Sequence, residues 1–428
     1  MDVKIQPRFL TGRIKAIPSK SQAHRALICA SLADKPSFIE CSGDSEDIEA
    51  TGACLRALGA EIKHEKQTEE NSGGFFVQPF LQKKSETSVS LPCAQSGSTF
   101  RFLLPVVCAL GRTAEFILEG RLPQRPVSPL YEELSRCGCK LSPKGSNPFC
   151  VEGKLTPGVF ELDAGVSSQF ISGLLFALPL LDKDSQIHLK GRIESFPYIE
   201  MTMAMLEIFK IKIEFNNNIF FIKGNQNYIS PEKLSIEGDW SNAAFWLVSA
   251  ALGENSIFCG GLDLKSRQGD RAVLDILEKF GADVKKDGSS VKVSGGKLRG
   301  TEIDACDIPD LVPVLAVAAC AAEGQTVIRN AERLRIKESD RLEAVYSILS
   351  ALGADIRVTD GGLIINGGSS LTGGEVSSWE DHRIAMSAAI ASILCRQPVL
   401  IKDAQAVSKS YPGFFDDFRL LGGSISVL

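Results

Sequence analysis

Residues 330–341 concentrate charged side chains between an apolar segment, 326–328, and a stretch with helical apolar spacing, 342–352. Lys337 and Arg341 are four positions apart, so in a helical first turn they share one face, and Glu338 falls between them. Two cations beside one carboxylate can bind an anion and keep a proton carrier next to it. The alternative is a solvated helix start whose charges pair with one another. What the rest of the chain places nearby decides between these interpretations.

Six polar turns precede apolar helical stretches, and helix starts favour anions through their free N–H groups and the helix dipole. The first three turns contribute Lys20, Ser21 and Arg25; then Gly97, Ser98 and Arg101; then Ser167, Ser168 and Gln169. Gly97 removes a side chain where backbone could approach a ligand closely. A serine at such a position is more often only a helix cap. Basic residues repeated at equivalent turns of an acidic protein are harder to explain by capping.

Cations recur at these turns and at the starts of the helices that follow: Lys20, Arg25, Arg101, Arg125, Lys337, Arg341, Arg383 and Lys409. Together they could hold two multiply charged groups, such as two phosphates or a phosphate and a carboxylate. Glu338 and Asp310 are the carboxylates available as acid or base, although Asp310 could equally be the N-cap of the apolar helix after it. The chain has no phosphate-binding or dinucleotide-binding glycine motif, so a nucleotide site has no support.

Composition narrows the class of protein. The chain has 428 residues, 44% hydrophobic and 23% charged, which is typical of a globular protein with two domains. A net charge of −5 gives no support for general binding to nucleic acid or membrane surfaces. No apolar run approaches membrane-spanning length and no signal peptide is seen, so we expect a cytoplasmic protein. Twelve scattered cysteines and four histidines predict buried reduced thiols rather than disulfides or a metal site.

A phrase typical of a helix end recurs at 55, 134, 206, 277, 349 and 418, a period of about 70 residues. Its fifth position is glycine in every copy except at Lys210, which predicts a left-handed C-cap. Alternating strands joined by a tight turn follow, and a strand, polar turn, helix and second strand lead to the next phrase. Each repeat therefore has the pattern βαβαββ, and the fold class is mixed α/β.

Two details indicate the domains. The sixth repeat stops at residues 425–428 without a partner for its hairpin, and the N-terminal strand 3–6 is otherwise unpaired, so we expect this strand to complete the sixth repeat. Residues 1–17 and 231–428 then form one discontinuous domain with repeats four to six, and residues 18–230 form the other with repeats one to three. Two connecting strands make a hinge, and a cleft between domains is a common ligand site.

The chain resembles the enolpyruvyl transferases along essentially its whole length, and among them the branch that acts on shikimate 3-phosphate. The matching motifs are, in order, Pro18-Ser-Lys-Ser-Gln-Ala-His-Arg25, Gln95-Ser-Gly-Ser-Thr-Phe-Arg101, Arg125-Pro126, Ser167-Ser-Gln169, Ile308-Pro-Asp310, Arg335-Ile-Lys-Glu-Ser-Asp-Arg341, Asp381-His-Arg383 and Lys409-Ser-Tyr-Pro412. The resemblance implies two inside-out α/β domains of three repeats each. It also implies transfer of the enolpyruvyl group of phosphoenolpyruvate to the 5-hydroxyl of shikimate 3-phosphate, with release of phosphate, in aromatic amino-acid biosynthesis.

The resemblance also assigns roles to residues. Those it places at shikimate 3-phosphate are Lys20, Ser21, Arg25, Ser167, Ser168, Gln169, Ser195, Asp310 and Lys337. Those it places at phosphoenolpyruvate are Lys20, Gly97, Arg101, Arg125, Gln169, Arg341, Arg383 and Lys409. Asp310 resembles the base for the attacking hydroxyl, and Glu338 with Lys20 resembles the proton shuttle at the methylene carbon. No metal or cofactor is implied, and we expect a monomer whose partners are these two small molecules.

Three positions depart from the family pattern: Gln95 where asparagine is common, Phe102 where proline is common, and Arg333 where some members have asparagine. The nearest alternative is the sister enzyme that transfers the enolpyruvyl group to UDP-N-acetylglucosamine. That enzyme has a cysteine in a loop that corresponds to residues 111–125, where this chain has none, and the motif at 167–169 favours shikimate. An alternative of another class is a non-catalytic repeat scaffold, which would not need Glu338 and Asp310 beside the cations.

Overall fold

The computed structural model describes residues 1–43, 45–66, 72–80, 88–253 and 255–428. These residues form two compact units. One unit is Pro18–Ile236, and the other combines Met1–Ile17 with Glu237–Leu428. Each unit contains three four-stranded sheets, so the described residues form six sheets in all. No helix in the described ranges has both the length and the apolar character needed to cross a bilayer.

The first half of the chain contains β1 (Val3–Gln6), β2 (Gly12–Lys15), α1 (Lys20–Ser31), β3 (Ser37–Glu40), α2 (Glu46–Ala57), β4 (Glu61–Glu65), β5 (Gly74–Gln78), β6 (Val89–Ala94), α3 (Gly97–Leu110), β7 (Ala114–Leu118), α4 (Leu130–Arg136), β8 (Cys139–Leu141), β9 (Phe149–Gly153), β10 (Val159–Asp163), α5 (Ser168–Ala177), β11 (Ser185–Lys190), α6 (Phe196–Ile208), β12 (Ile213–Asn216), β13 (Ile219–Ile222) and β14 (Lys233–Ser235).

The second half contains α7 (Trp240–Ala251), β15 (Ser256–Gly260), α8 (Val273–Phe280), β16 (Asp283–Asp287), β17 (Ser290–Ser294), β18 (Glu302–Asp304), α9 (Val312–Ala321), β19 (Gly324–Arg329), α10 (Arg341–Ala351), β20 (Asp355–Thr359), β21 (Gly362–Gly367), β22 (Gly374–Ser377), α11 (His382–Ala391), β23 (Val399–Lys402), α12 (Phe414–Leu420) and β24 (Ser424–Val427).

The second repeat shows the common sheet topology. Its strand order is β6-β7-β9-β8, with β6 and β7 parallel and β9 antiparallel to both of its neighbours. A parallel pair needs a crossover, which α3 supplies, whereas β8 and β9 form a hairpin. The third and fifth repeats have the same order, β10-β11-β13-β12 and β18-β19-β21-β20. The predicted α/β class and the pattern βαβαββ are confirmed in these repeats.

The first and fourth repeats exchange their leading strands. β2 pairs in parallel with β15 of the fourth repeat, and β14 pairs in parallel with β3 of the first. The pattern βαβαββ of each of these two repeats is therefore completed by a strand that precedes the other repeat in the sequence. The chain passes from one unit to the other directly after each of these strands, so each strand stays in the unit that the chain is leaving. For the same reason the predicted boundary at 230/231 has to move to 236/237, because β14 belongs to the sheet of β3.

The sixth sheet has the order β22-β23-β1-β24. β1 is antiparallel to both of its neighbours, with Val3 opposite Ile401 on one side and opposite Val427 on the other. The N-terminal strand is therefore an inner strand of a sheet whose other strands come from the end of the sequence. Val3 and Ile5, which point to one face of this sheet, are fully buried.

The first helix of each repeat lies inside its unit. Every residue of α7 is buried, as is every residue of α11 and all but one residue of α9. A helix buried on all sides needs neighbours all round, and α7, α9 and α11 pack against one another as well as against the sheets and the second helices. In the other unit α3 and α5 pack against each other in the same way. The starts of these inner helices carry the polar turns singled out in the sequence.

The predicted helix ends are confirmed. Glycines at 59, 138, 281, 353 and 422 have φ between +93° and +108°, and Lys210, at the same position of the third copy, has φ +64°. At the end of α6, Ile211 N donates to Leu206 O over 2.9 Å, as Ala60 N donates to Leu55 O over 3.0 Å at the end of α2. Lys210 therefore adopts the conformation that glycine adopts elsewhere, at the cost of a Cβ in the left-handed region.

We expect Lys210→Gly to stabilise the unit Pro18–Ile236 by about 1 kcal/mol, because it removes the steric cost of a Cβ at positive φ. The matched change is Gly59→Lys, since Gly59 is also exposed and has φ +108° with nothing within 4 Å of an added Cβ. It should destabilise by a similar amount. Urea unfolding followed by far-UV circular dichroism checks both, and shifts of the same sign would contradict the explanation.

Candidate active site

Arg341, in the unit that contains Glu237–Leu428, pairs with three carboxylates. It is 1% exposed and is the first residue of α10. Its Nη1 lies 2.8 Å from Asp310 Oδ1, its Nη2 lies 2.6 Å from Glu338 Oε2, and its Nε lies 2.8 Å from Asp381 Oδ2. Burial opposes the charge of the guanidinium, but the three carboxylates hold the pKa of Arg341 well above its ordinary value. The interpretation of this segment as a solvated helix start is wrong.

The local geometry of this segment differs from the prediction. A 3-10 helix, Glu332–Ile336, is followed by extended backbone at Lys337, and α10 begins only at Arg341. Lys337 and Arg341 therefore do not share a helical turn. They converge because both contact Asp310 Oδ1, Lys337 Nζ at 3.6 Å and Arg341 Nη1 at 2.8 Å.

Asp310 forms ion pairs with several cations and does not cap α9. α9 begins at Val312 with Leu311 at its N-cap and no capping side chain. Besides Lys337 and Arg341, Asp310 contacts Arg383, whose Nη2 lies 3.0 Å from its Oδ2. Burial raises the pKa of Asp310, but the charges of Arg383, Lys337 and Arg341 outweigh burial and hold the pKa well below its ordinary value. Asp310 is therefore a carboxylate ion surrounded by the three cations.

Burial also acts on Lys337. Together with the charges of Arg341 and Arg333, it lowers the pKa of Lys337 to about 8, although Asp310 and Glu338 act in the opposite direction. An ammonium group with this pKa loses its charge within an accessible pH range. The structure thus gives Arg333, noted only as a departure from the family pattern, an electrostatic effect on a predicted ligand.

Asp381 is a residue of this cluster that the sequence analysis did not assign. It is fully buried and caps α11, accepting a hydrogen bond from Arg383 N at 2.9 Å. Its other oxygen accepts from Ser339 Oγ at 3.1 Å and from Arg341 Nε at 2.8 Å. An aspartate directly before an apolar helix signals an N-cap, but nothing in the sequence pairs it with Arg341, forty residues earlier.

The turn before Asp381 has a strained backbone. Trp379 and Glu380 both adopt the left-handed region, with φ +54° and +53°. Left-handed conformations of such residues cost about 1–2 kcal/mol each. The Glu380 carbonyl accepts a hydrogen bond from Lys409 Nζ at 2.5 Å, so this turn fixes a predicted phosphoenolpyruvate ligand.

In the unit Pro18–Ile236 most of the predicted ligands lie at or near the starts of α1, α3 and α5. Ser19, Ser96 and Ser167 are the N-caps of these helices. Capping is therefore the structural role of Ser167, whereas Ser21 and Ser168 belong to the first helical turns. Lys20, the first residue of α1, has its Nζ 2.7 Å from Asp47 Oδ2 at the start of α2.

Arg101 links the starts of α3 and α5. Its Nη1 donates to Gln169 Oε1 at 2.8 Å, and Gln169 Nε2 donates to Ser98 Oγ at 2.9 Å. A Cβ on Gly97 would lie 2.7 Å from Arg125 Nη1 and 3.2 Å from Arg101 Nη1. The glycine therefore leaves room for two guanidinium groups. The structure brings together Gly97, Arg101, Arg125 and Gln169 as one cluster.

Arg25 is placed differently from the other predicted ligands. Its guanidinium is buried and donates to Ser21 O at 2.6 Å, to Tyr198 O at 2.8 Å and to Thr202 Oγ1 at 2.8 Å. Burial lowers the pKa of Arg25 to about 10. These bonds connect α1 to α6, which starts after the buried, left-handed Ser195.

The ring of Phe102 lies 5.0 Å from the guanidinium carbon of Arg25, which is cation–π distance. The residue that departs from the family pattern thus contacts a predicted ligand in this chain.

The sequence profile of EPSP synthase (3-phosphoshikimate 1-carboxyvinyltransferase) matches residues 5–418. The chain belongs to the EPSP synthase family. A relative named 3-phosphoshikimate 1-carboxyvinyltransferase from Clostridium perfringens strain 13 is 46% identical over 424 residues, 98% of each chain. The relative of the same name from Clostridioides difficile strain 630 is 44% identical over 432 residues, 99% of this chain and 98% of its own.

Solved structures with the same fold include EPSP synthase from Acinetobacter baumannii, with a TM-score of 0.82, 24% identity and full coverage of both chains. The enolpyruvyl transferase NikO from Streptomyces tendae has a TM-score of 0.80 at 19% identity, covering 99% of this chain and 98% of its own. At these identities the likeness concerns the fold alone, and it confirms the predicted enolpyruvyl transferase architecture.

Membership of the EPSP synthase family confirms the resemblance found in the sequence and makes the chain a transferase of the shikimate pathway. The predicted enzyme class, 3-phosphoshikimate 1-carboxyvinyltransferase, is confirmed with it. The UDP-N-acetylglucosamine alternative is not favoured, since the profile and these relatives carry the shikimate name. The non-catalytic scaffold likewise has no support.

Proposed function

We propose that the chain transfers the enolpyruvyl group of phosphoenolpyruvate to the 5-hydroxyl of shikimate 3-phosphate by addition and elimination, with the two residue clusters in the roles given below. The observation that carries the proposal is Asp310, a carboxylate ion held among Lys337, Arg341 and Arg383, with Glu338 on the same arginine. Cations that bind anionic substrates thus lie beside two groups able to move protons. The interdomain cleft and the two-strand hinge stay predictions.

The proposed shikimate 3-phosphate ligands are Lys20, Ser21, Arg25, Ser167, Ser168, Gln169, Ser195, Asp310 and Lys337. Helix starts support the members of this set in the unit Pro18–Ile236, because these side chains lie at or near the starts of α1, α5 and α6, which present backbone N–H groups. Within the set, Arg25 orients the Ser21 carbonyl and the first turn of α1.

The proposed phosphoenolpyruvate ligands are Lys20, Gly97, Arg101, Arg125, Gln169, Arg341, Arg383 and Lys409. Phosphoenolpyruvate carries a phosphate and a carboxylate, and guanidinium groups bind both with paired hydrogen bonds. The clustering of Arg101 and Arg125 at Gly97 supports one anion site, and the pairing of Arg341 with Arg383 through Asp310 supports another.

In the proposed addition, the 5-hydroxyl oxygen attacks carbon 2 of phosphoenolpyruvate as Asp310 takes the hydroxyl proton, and Glu338 with Lys20 delivers a proton to the methylene carbon. The tetrahedral intermediate then returns a proton from its new methyl group to Glu338 and Lys20. The electron pair of that C–H bond forms the new C=C double bond as the bond from carbon 2 to the phosphate oxygen breaks, and the proton held by Asp310 leaves with inorganic phosphate. Asp310 is a weak base while three cations face it. Anionic substrates bound to these cations offset their field, which raises the proton affinity of Asp310 where it is needed.

We also propose that the protein acts as a cytoplasmic monomer without metal or cofactor. No metal is needed, because arginine and lysine side chains supply the charge that a metal ion would otherwise bring to the phosphates.

The direct test of the function is phosphate release from phosphoenolpyruvate in the presence of either acceptor. We expect release with shikimate 3-phosphate and none with UDP-N-acetylglucosamine, since the residues assigned to the acceptor match the shikimate branch. An established EPSP synthase serves as the positive control. Release with the sugar nucleotide alone would replace the proposal by the sister reaction, and release with neither acceptor would remove it.

Glu338→Gln should lower kcat by about 100-fold or more, since a general acid–base group typically contributes that much. The KM values should change by less than about threefold, because the amide keeps an acceptor for Arg341 Nη2. Steady-state kinetics with each substrate varied in turn measures the split. Equal losses in kcat and in substrate affinity would assign Glu338 a structural role instead.

The proposed role of Lys337 predicts a dependence on pH. Its ammonium group is charged below a pH of about 8 and neutral above it, so kcat/KM for shikimate 3-phosphate should be level at lower pH and decline above about 8. Lys337→Arg is the matched variant, because a guanidinium stays charged throughout and the decline should disappear. The same decline in the arginine variant would assign it to another group.

A further inference from the structure

A chain of buried polar side chains connects α1, α2 and α3 and has no part in the roles given so far. His24 Nδ1 lies 2.7 Å from Thr51 Oγ1, and Thr51 Oγ1 lies 2.6 Å from Thr99 Oγ1. Thr99 Oγ1 donates to Ser96 Oγ, the cap of α3, over 2.8 Å. The first three residues are fully buried, and Ser96 is 1% exposed. The first of these hydrogen bonds joins α1 to α2, and the second joins α2 to α3.

This chain of hydrogen-bonded side chains lies next to the proposed substrate ligands. His24 is one helical turn after Lys20 on α1, and Thr99 is two residues after Gly97 and two before Arg101 on α3. On α2, Thr51 is one turn after Asp47, whose carboxylate binds Lys20 Nζ at 2.7 Å. Thr99 Oγ1 also points to the Asp47 carbonyl at 3.5 Å. Lys20 is thus connected to α3 twice, through its own helix and through Asp47.

The hydrogen bonds of this chain run in one direction. Among the described residues, His24 Nε2 is buried and has no hydrogen-bond partner. A proton on Nε2 would be a buried donor without an acceptor, which is costly, so the imidazole proton lies on Nδ1 and is donated to Thr51 Oγ1. Thr51 then donates its own hydroxyl proton to Thr99 Oγ1, which in turn donates to Ser96 Oγ.

The imidazole stays neutral in this setting. Burial, followed by the nearby charges of Lys20 and Arg25, lowers the pKa of His24 well below its ordinary value. A neutral ring keeps Nδ1 as the only donor, so the direction of the chain does not change over the working pH range. Apolar side chains of similar shape would fill this space without burying four polar groups, one with an unpaired lone pair. The arrangement therefore calls for an explanation other than stability.

We propose that His24, Thr51 and Thr99 are positioning residues, which set the placement of Lys20 relative to Gly97 and Arg101 by holding the first turns of α1, α2 and α3 in one register. This inference rests on the proposed roles of Lys20, Gly97 and Arg101. Those three are assigned to phosphoenolpyruvate and stand on two different helices. Shikimate 3-phosphate also takes ligands from α1, but none of the residues assigned to it lies on α3. The chain should therefore affect phosphoenolpyruvate more than shikimate 3-phosphate.

The test replaces one hydroxyl at a time with a methyl group. Thr51→Val and Thr99→Val should each raise KM for phosphoenolpyruvate by about tenfold and lower kcat, since misplacement by about 1 Å can cost up to about 100-fold. KM for shikimate 3-phosphate should change by less than about threefold on the same basis. Thr51→Ser and Thr99→Ser keep the hydroxyl and should restore near-normal kinetics. Thr326→Val, which removes a fully buried hydroxyl from β19, is the matched control for stability and should leave both KM values unchanged.

Equal KM changes for the two substrates, or normal kinetics in both valine variants, would overturn the proposal. If a valine variant does not fold, nitrogen-15 NMR of the histidines in the unmodified enzyme still decides, with His24→Asn identifying the signal. The proposal expects the Nδ1–H tautomer, and an Nε2–H tautomer would overturn it. Lys20→Met, measured in parallel, separates the two levels of inference. Full activity of that variant would refute the site assignment, whereas its inactivity beside normal valine variants would refute only the positioning chain.

Discussion

A buried guanidinium has to be matched by acceptors, and this requirement at Arg341 organises the unit that contains it. The three carboxylates that satisfy it, Asp310, Glu338 and Asp381, come from the segments before α9, α10 and α11. The starts of these helices cannot shift independently without leaving a charge unpaired, which in a buried ion pair costs about 3–5 kcal/mol. The carboxylates that stabilise the buried charge of Arg341 include Asp310 and Glu338, the two carboxylates proposed to move protons. Stability and chemistry thus depend on one set of contacts.

The other unit meets the same requirement with mostly neutral acceptors. Arg25 donates to two carbonyls and a hydroxyl and faces the ring of Phe102, and Arg101 donates to the Gln169 amide and to the Pro126 carbonyl. Neutral acceptors satisfy the N–H groups named here without adding a formal negative charge, which suits side chains that attract anions. In the carboxylate-rich cluster, by contrast, the cations also tune the acids beside them. The two clusters are therefore chemically different, although they come from equivalent turns in different copies of the same repeat.

Local pattern carried the predictions that succeeded. The period of about 70 residues, the glycine at nearly every helix end and the alternation of the strands are short-range signals, and they led to the α/β class and the left-handed caps.

The predictions that failed concerned contacts between residues far apart in the sequence. The exchange of β2 and β14 between repeats cannot be predicted from the repeat pattern, because the sequences of both strands look like those of the first strands in the other repeats. Asp381 was missed because its partner Arg341 is remote, and the turn at Lys337 was misjudged because contacts with Asp310 override local helical spacing. The family resemblance, rather than physics, separated shikimate 3-phosphate from other anions.

The position of β1 has a consequence for how the protein is made. Val3 lies opposite Val427 in the sixth sheet, so an inner strand waits for its neighbour until synthesis has reached the other end of the sequence. The unit Pro18–Ile236 is continuous and can fold while the ribosome is still extending the chain. Its counterpart has no such option, and until β24 emerges the apolar side chains of β1 lack their full cover. We therefore expect a nascent state in which the unit Pro18–Ile236 is folded while the sixth sheet is incomplete, and this sheet is the part most prone to aggregation.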